Sequence, residues 1–402
     1  MRNKSIIITT LFFAIAKLAF CQGTWIQKSN FIGTPRYYAK QFEINNKGYV
    51  LTGANNFNLY ADLWEYNPVN DTWTQKANFP GAARSTAVAF AIGNKGYFGT
   101  GAISLNYFND FWEYDPSLNS WTQKADCSST VREGAVGFSI GNKGYIGLGF
   151  SLSDFWEYDP SADTWTQKSD FPPGVRDVAV GFSIGDKGYV GTGSGGAWDY
   201  NDFWEYQPLT DTWTQKASVP GGTRYGAVGF SICDYGYVCG GWKAIGLGND
   251  LWQYNTTMNT WVQKADFAGG QITAQIAFVI QQRAYMGTGA DSAYHNRTDF
   301  WEYIPDDTCK LEGVDEMDNS MSFLLYPNPN FGEMTLAYNF HNSETATFNI
   351  FDVAGRLVKK QILVSESKKT TITAEELSAG AYYYQILLGE RKVKSDKLII
   401  IK

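Results

Sequence analysis

Three observations predict an all-β fold for this chain. Aromatic residues make up 16% of the 402 residues, charged residues 18%, and glycine is abundant with 41 copies, a balance typical of β-proteins with many tight turns. A Trp-Glu-Tyr motif followed by a Trp-Thr-Gln-Lys motif recurs along most of the sequence, for example at 204–206 and 213–216. Short segments such as 135–140 alternate small and large residues, which is the period of a β-strand.

The repeat has a period of about 48 residues. The tryptophans of the Trp-Thr-Gln-Lys motif lie 48 residues apart, with one spacing of 44. The tryptophans of the Trp-Glu-Tyr motif form a second series, which gives six copies of the repeat. The two series are Trp25, Trp73, Trp121, Trp165, Trp213, Trp261 and Trp64, Trp112, Trp156, Trp204, Trp252, Trp301. Each copy contains four strand signals separated by turns, and four-stranded units that bury both faces against neighbours are propeller blades.

These repeats resemble the kelch repeat family. The resemblance covers about 24–305 and rests on the spaced tryptophan, Tyr114-Asp115-Pro116, and the glycine-rich end of the second strand, as at Gly99-Thr100-Gly101. It implies a six-bladed kelch β-propeller. The unmatched half-repeat at Trp25-Ile26-Gln27-Lys28 is expected to supply the outer strand of the blade that contains Trp301, so that the N-terminal strand closes the ring.

The ends of the chain carry further signals. Residues 1–21 are expected to be a signal peptide, with Arg2 and Lys4 before an apolar run, and acylation of Cys21 is the alternative. Propeller residues 22–305 would be followed by a linker at 306–322 and a small C-terminal antiparallel β-sandwich at 323–402. No other apolar stretch approaches the roughly 20 residues of a membrane helix.

The C-terminal segment resembles the sorting domain of the type IX secretion system. The residues that carry the resemblance are Tyr326-Pro327-Asn328-Pro329, Asp352 to Arg356, Leu377 with Gly380, and the terminal Lys397 to Lys402. The resemblance implies an address that is read by an outer-membrane translocon, and a protein at the cell surface or outside a Gram-negative bacterium. The alternative is an ordinary adhesive sandwich.

Loops before each third strand are the expected binding surface, because they are longer and more varied than the turns on the opposite face. They offer Tyr60, Tyr107, Trp198, Trp242 and Tyr294. Exposed aromatic rings suit stacking on sugars or protein contacts, and packing on the neighbouring blade is the alternative.

An arginine opens the first strand of five copies, at Arg36, Arg84, Arg132, Arg176 and Arg224, and the sixth copy has Gln271. A ring of arginines near the channel would attract acidic ligands, as in some kelch relatives. The competing structural hypothesis pairs each arginine with the Trp-Glu-Tyr glutamate of the preceding repeat, as Glu65 with Arg84, and leaves Gln253 and Gln271 as a neutral pair.

Little in the sequence points to chemistry. The net charge of −7 and the lack of a Lys/Arg run disfavour nucleic acid as a partner. Only His295 and His341 are present, so the histidine pair and tyrosine–cysteine set of copper oxidases with kelch-type blades cannot be assembled, and we expect no cofactor. We expect Cys233 and Cys239, which flank a hairpin turn, to be unpaired buried thiols, with Cys239 facing Phe230.

The sequence therefore favours a secreted or cell-surface binding or scaffold module whose ligand is a glycan or a protein. The alternative is a carbohydrate-active enzyme, epimerase- or lyase-like, that uses the same loop-rich face. A structural repeat protein without a small ligand is the third possibility.

Overall fold

The computed structural model describes residues 22–128, 130–306, 322–326, 333–339, 346–352, 355–364, 369–374, 376–389 and 391–401. The expected signal peptide with Cys21, most of the expected linker, His341 and Pro327 to Gly332 lie outside these residues. Two compact units make up the chain, one up to Thr308 and one from Cys309. The described residues contain strands, bridges and turns, with no helix among them; accordingly, none of their segments is a helix that could cross a membrane.

The first unit contains six four-stranded antiparallel sheets, one for each repeat. Its first strands are Lys40–Ile44, Val88–Ile92, Val136–Ile140, Val180–Ile184, Val228–Ile232 and Ile276–Ile280. Its second strands are Lys47–Leu51, Lys95–Gly99, Lys143–Gly147, Lys187–Gly191, Tyr235–Cys239 and Arg283–Gly287. Its third strands are Leu63–Asn67, Phe111–Asp115, Phe155–Asp159, Phe203–Gln207, Leu251–Asn255 and Phe300–Ile304. Its outer strands are Thr72–Lys76, Ser120–Lys124, Thr164–Lys168, Thr212–Lys216, Thr260–Gln263 and, for the sixth sheet, Thr24–Lys28.

The six sheets are arranged around an axis. First strands of neighbouring sheets contact one another in cyclic order, and the first strand of repeat six contacts that of repeat one. Thr24–Lys28 pairs antiparallel with Phe300–Ile304, with Trp25 opposite Tyr303. The all-β propeller predicted from the repeats is thereby confirmed as the fold class.

The outer-strand tryptophan joins each sheet to the one before it. Trp165 donates its indole N–H to the carbonyl of Ala125 at 2.9 Å, while Asp163 accepts the N–H of Ala125 at 3.0 Å and the hydroxyl of Tyr158 at 2.8 Å. Trp25 makes the equivalent bond to the carbonyl of Ala265 at 3.0 Å. The recurring Trp-Thr-Gln-Lys motif therefore reflects a hydrogen-bonded joint between neighbouring sheets as well as an apolar core residue.

Short two-stranded ribbons extend the loop-rich face. They are Ala102–Ile103 with Asn106–Tyr107 in repeat two, and Trp242–Lys243 with Gly246–Leu247 in repeat five, where Arg224–Tyr225 adds a third strand. The turns on the opposite face are tight, because each first-to-second hairpin has only two turn residues, such as Gly141 at a φ of +56° followed by Asn142.

Cysteine chemistry differs from the prediction. Cys127 and Cys239 are free and buried, whereas Cys233 is disulfide-bonded, so the prediction of an unpaired thiol at Cys233 is wrong. Because Ile232 lies opposite Tyr235, the hairpin turn is Cys233-Asp234, and Cys239 lies opposite Val228 instead of Phe230. A turn one residue earlier than expected moves every cross-strand neighbour.

The second unit contains two antiparallel sheets. One has Ser322–Tyr326, Glu333–Asn339 and Lys369–Thr373; the other has Leu357–Leu363, Ala346–Phe351, Gly380–Leu388 and Arg391–Ile400. Both contribute to one hydrophobic core, with Met334 and Leu336 from the first and Phe348, Ile350 and Ile386 from the second. A shared core between two sheets is the arrangement of a β-sandwich.

Candidate functional site on the loop-rich face

The five arginines lie four residues before the first strands, not at their first positions as expected, and they are inside the protein. Arg36, Arg84, Arg132, Arg176 and Arg224 are at most 1% exposed. Arg132 is typical: Nη1 and Nη2 each donate to the Asp154 carboxylate at 2.8 Å, and Nη1 also donates to the carbonyl of Leu148 at 3.1 Å. The other four bind Asp62, Asp110, Asp202 and Asp250 of their own repeats. This geometry supports a structural role for the arginines over contact with a ligand.

The predicted glutamate–arginine pairing is therefore wrong. Register places Glu65 opposite Tyr49, so that both side chains share one face, and Glu65 accepts hydrogen bonds from the Tyr49 hydroxyl at 2.8 Å and Lys47 Nζ at 2.6 Å. Gln253 donates to the Tyr237 hydroxyl at 2.6 Å in the same place. Repeat five has Tyr235 where repeat one has Lys47, and Gln253 where repeat one has Glu65. Both charges of the Lys47–Glu65 pair are therefore absent from repeat five.

The sixth repeat uses a different arginine. Gly241 N–H donates to the carbonyl of Ile272, as Gly193 N–H does to the carbonyl of Arg224, so Ile272 and not Gln271 corresponds to the arginines. Arg297, from the loop before the third strand, donates to Asp299 from Nε at 2.8 Å and from Nη2 at 2.7 Å. The aspartate before each third strand has a cationic partner in all six repeats, but not always from the same position.

Burial would by itself raise the pKa of Asp154, but the hydrogen bonds and charge of Arg132 and the indole N–H of Trp156 hold it below its ordinary value. Asp154 therefore remains ionised and bound to Arg132 and Trp156. A ligand would have to be recognised by other groups.

The five loop aromatics have different environments. Tyr60 lies over the Arg36 guanidinium at 4.3 Å and accepts a hydrogen bond from Asn55, so it packs within its own repeat. Tyr107 is 5.6 Å from the Phe150 ring of repeat three. Trp198 is 74% exposed. The structure brings two of the five together: Trp242 and Tyr294 are stacked, with ring centroids 6.0 Å apart and planes at 25°.

Trp242 and Tyr294 belong to a cavity of about 230 Å³, which we call the aromatic pocket. Its other lining residues are Tyr37, Tyr38, Asn56, Tyr225, Thr273, Ala274, Ala290 and Asn296. They come from repeats one, five and six, which are distant in sequence and adjacent around the axis. Five aromatic rings with two amide side chains form a surface that suits a flat ring with polar substituents.

One polar atom of this pocket has no partner. The Oδ1 atom of Asn296 is buried and accepts no hydrogen bond from the described residues. Unsatisfied buried acceptors are uncommon because each costs free energy. An acceptor of this kind in the wall of a cavity is suited to an O–H or N–H donor of a bound molecule.

Next to the pocket lies the mouth of the axial channel. One residue of each repeat at this level has a positive φ between 48° and 64°. These residues, which we call the axial ring, are Tyr38, Thr86, Gly134, Val178, Gly226 and Ala274. Their backbones form a chain of hydrogen bonds, such as Val178 N–H to the Gly134 carbonyl at 2.9 Å and Tyr38 N–H to the Ala274 carbonyl at 2.9 Å. β-Branched Thr86 and Val178 are strained in this conformation.

Charged groups stand at the axial ring. The Asp177 carboxylate lies over Gly134, where an added Cβ would come within 1.6 Å of Asp177 Oδ1. Burial, followed by the charge of the Glu133 carboxylate, raises the pKa of Asp177 to about 6, although the Val178 N–H and the charge of Lys40 act against this shift. Burial lowers the pKa of Lys40 to about 8, and Asp177 acts against that shift. Burial, followed by the charge of Asp177, raises the pKa of Tyr38.

The sequence analysis missed Tyr37, Tyr38, Lys40, Glu133, Asp177 and Tyr225. A signal for most of them was present. The two residues after each arginine position differ in every repeat, as in Arg36-Tyr37-Tyr38 and Arg176-Asp177-Val178, although the residues on either side recur. When two positions vary within an otherwise regular repeat, their side chains are not needed for packing between the sheets, and such positions indicate a surface available for binding.

The tips of the loops share one property, of which the sequence analysis anticipated only Trp198 and Tyr294. Each repeat exposes one large apolar side chain there, namely Phe57, Leu105, Phe150, Trp198, Ile245 and Tyr294. Within the residues that the structure describes, there is no group of three or more His, Cys, Asp or Glu side chains that could hold a metal ion.

Comparison with known proteins identifies the class of the fold and of the tail. The family model of the secretion system C-terminal sorting domain matches residues 324–402. The structure of YjhT, a kelch-type β-propeller, is similar with a TM-score of 0.59 and 17% identity, over 68% of this chain and 96% of that one. No curated protein matches the chain. The likeness to YjhT supports the β-propeller fold and carries no inference about ligands.

The sorting domain at 324–402 implies interaction with the type IX secretion system and indicates a secreted or cell-surface protein.

Proposed function

We propose that this protein is a secreted or cell-surface module that binds a glycan, with one sugar ring held in the aromatic pocket. The observation that carries the proposal is the stacked pair Trp242–Tyr294 in the wall of a cavity of about 230 Å³. Aromatic faces bind the C–H faces of sugar rings, and amides bind their hydroxyl groups. Asn56 and Asn296 supply those amides here.

The proposal includes the organisation of the chain. A signal peptide at 1–21 would direct export from the cytoplasm, the kelch propeller at 22–305 would carry the ligand, and a linker at 306–322 would join it to the sorting domain at 323–402. Of the aromatic residues expected from the sequence, Trp242 and Tyr294 would contact the ligand. Tyr60, Tyr107 and the five arginines would support the loops, and Trp198 would lie outside the pocket.

A glycan array with the full chain tests this function, with mass spectrometry of the glycans before and after incubation. We expect saturable binding, unchanged glycan mass and a loss of about tenfold to a hundredfold in affinity for Trp242→Ala, because stacking on an aromatic ring contributes about 1–3 kcal/mol. Trp198→Ala is the matched control, since Trp198 is an exposed tryptophan on the same face. Equal loss in both variants, or binding that neither changes, would contradict the assignment.

A second function, that of a carbohydrate-active enzyme, is favoured by one observation. Asp177, with its pKa raised to about 6, and Lys40, with its pKa lowered to about 8, stand together at the axial ring beside the pocket. Opposite shifts of two neighbouring groups are common among catalytic acids and bases. A change in the mass or the configuration of the glycan that Asp177→Asn abolishes would establish the enzyme. Failure of every glycan to bind would favour a protein partner or a scaffold.

A further inference from the structure

We propose that the ligand of the aromatic pocket is a cationic amino sugar, whose protonated amino group pairs with Asp177 at the axial ring. This inference rests on the proposed function and names the class of glycan. It reverses the expectation that a ring of arginines attracts acidic ligands.

The pocket itself prefers a neutral or positive ligand. None of the ten described residues that line it carries a charge, and five of them are aromatic. The faces of aromatic rings carry partial negative charge and attract ammonium groups. Outside the lining, Asp199 is close enough to Tyr225 to raise the pKa of that tyrosine, after burial as the larger cause. Asp199 therefore adds negative charge on the Tyr225 side of the pocket.

The pocket shares a wall with a small cavity at the axial mouth, and Asp177 lies against that cavity at Gly134. Tyr38 and Ala274 line both the aromatic pocket and a smaller cavity of about 50 Å³ that contains Gly134, Val178 and Lys40. That volume is on the order of one or two water molecules, each of which occupies about 30 Å³ in the liquid. A compact substituent such as an amino group fits there, whereas an N-acetyl group is several times larger.

The charges at the mouth favour a cation. Glu133 and Asp177 are the carboxylates there, and Lys40 is the amine. Glu133 accepts a hydrogen bond from the Thr86 hydroxyl at 2.9 Å. The arginines that directly precede these two carboxylates in the chain, Arg132 and Arg176, are engaged with Asp154 and Asp202. Two carboxylates against one amine leave the mouth negative, so an acidic sugar would be repelled.

One carboxylate oxygen of Asp177 is not hydrogen-bonded within the part of the chain that the structure describes. This atom, Oδ1, is buried. The carboxylate is held over Gly134, the one residue type that leaves room for it at that position of the ring. An ammonium group placed there would satisfy the oxygen and form a charge-assisted hydrogen bond, which is about twice as strong as a neutral one.

Calorimetry with two matched disaccharides tests the inference. The full chain is titrated at pH 7 with the β-1,4-linked disaccharide of glucosamine and with its N-acetylated form, which differ only in the charge and bulk of the amino substituent. We expect the amino form to bind at least about tenfold more tightly, since a hydrogen bond to a charged group contributes about 1.5–3 kcal/mol. Asp177→Asn should remove the difference.

Asp186→Asn is the control for net charge, because Asp186 is an exposed turn residue between the first and second strands. Thermal unfolding of both variants verifies that each is folded. A second readout is the pH profile: the affinity of the amino form should fall as the pH falls through about 6, where Asp177 takes up a proton, and Asp177→Asn should flatten this dependence.

The outcomes separate the two proposals. Equal affinity for both disaccharides, or tighter binding of the N-acetylated form, would overturn the amino-sugar inference and leave glycan binding intact. If neither disaccharide binds but the array shows glycans whose binding depends on Trp242, the inference alone fails. If no glycan binds in a Trp242-dependent way, the proposed function fails with it.

Discussion

Within each repeat, the arginine position and the two residues that follow it are neighbours in sequence with opposite behaviour. Arginine recurs in five repeats, is buried, and holds an aspartate 22 or 26 residues later in the chain. The following pair varies from Tyr37-Tyr38 to Asp177-Val178, and its second residue lines the axial mouth. The comparison shows that the repeat keeps the residues that hold each sheet to its loop and varies those that face the channel.

The largest effect should come from the recurring ion pair. Asp154→Asn removes the charge that compensates Arg132, which is 0% exposed, and should lower the free energy of unfolding by about 3–5 kcal/mol. Urea unfolding of the propeller measures the loss. Glu157→Gln in the same repeat is the matched control and should cost less than about 1 kcal/mol, since its main partner, the Tyr145 hydroxyl, is retained. A larger loss of stability for Glu157→Gln than for Asp154→Asn would support the glutamate–arginine pairing instead.

The sixth repeat should depend less on its arginine. The side chain of Arg297 is 20% exposed, compared with 0% for Arg176, although both bind the aspartate before the third strand. Arg297→Gln should therefore cost about 1–2 kcal/mol, because water can reach the aspartate that it leaves behind. Arg176→Gln, measured in the same unfolding assay, should cost at least twice as much. Equal losses would show that position within the repeat does not matter.

A change at the mouth should increase stability. Asp177 has a pKa of about 6 in the folded protein, above the ordinary aspartate value of about 4, so the folded state binds more protons between these pH values and stability falls as the pH rises through them. Asp177→Asn should remove this penalty and stabilise the protein by about 1 kcal/mol at pH 7.5, an amount limited by partial exposure and by the lost attraction to Lys40.

At pH 3 or below the same variant should be no more stable than the parent protein, because Asp177 is then largely protonated in both the folded and the unfolded state. Thermal unfolding at the two pH values measures the difference. If Asp177→Asn instead destabilises the protein at pH 7.5, Asp177 stabilises the fold as the arginines do. That result would contradict the difference drawn between the arginine position and the residues that follow it.

The smallest effect should come from a loop tip. Trp198→Ala should change the free energy of unfolding by less than about 0.5 kcal/mol, since the side chain is 74% exposed. Urea unfolding next to Trp204→Ala provides the contrast, because the Trp204 indole N–H donates to Asp202 at 3.0 Å within the repeat. Comparable losses in the two variants would show that the loop tip contributes to the blade.

Much of the fold was predictable because its signals are local and repeated. The period-two alternation and the spaced tryptophans predicted the sheets, and the C-terminal motifs predicted the sorting domain, which the family model confirms. Of the expected site residues, Trp242 and Tyr294 line the pocket. That they bind a ligand stays a prediction. Gln271 was aligned one residue away from Ile272 because the sixth repeat offers no arginine to mark the position.

The sequence by itself determined the repeat, the class of the fold and the secretion tail, because strand periodicity and turn residues act over a few neighbours. The tertiary structure decided which carboxylate each arginine binds, since strand register puts Glu65 beside Tyr49 and leaves Asp62 for Arg36. It also decided the site. Tyr37, Tyr225 and Tyr294 are far apart in the chain and meet because the sheets are arranged in a circle, and no local pattern encodes that contact.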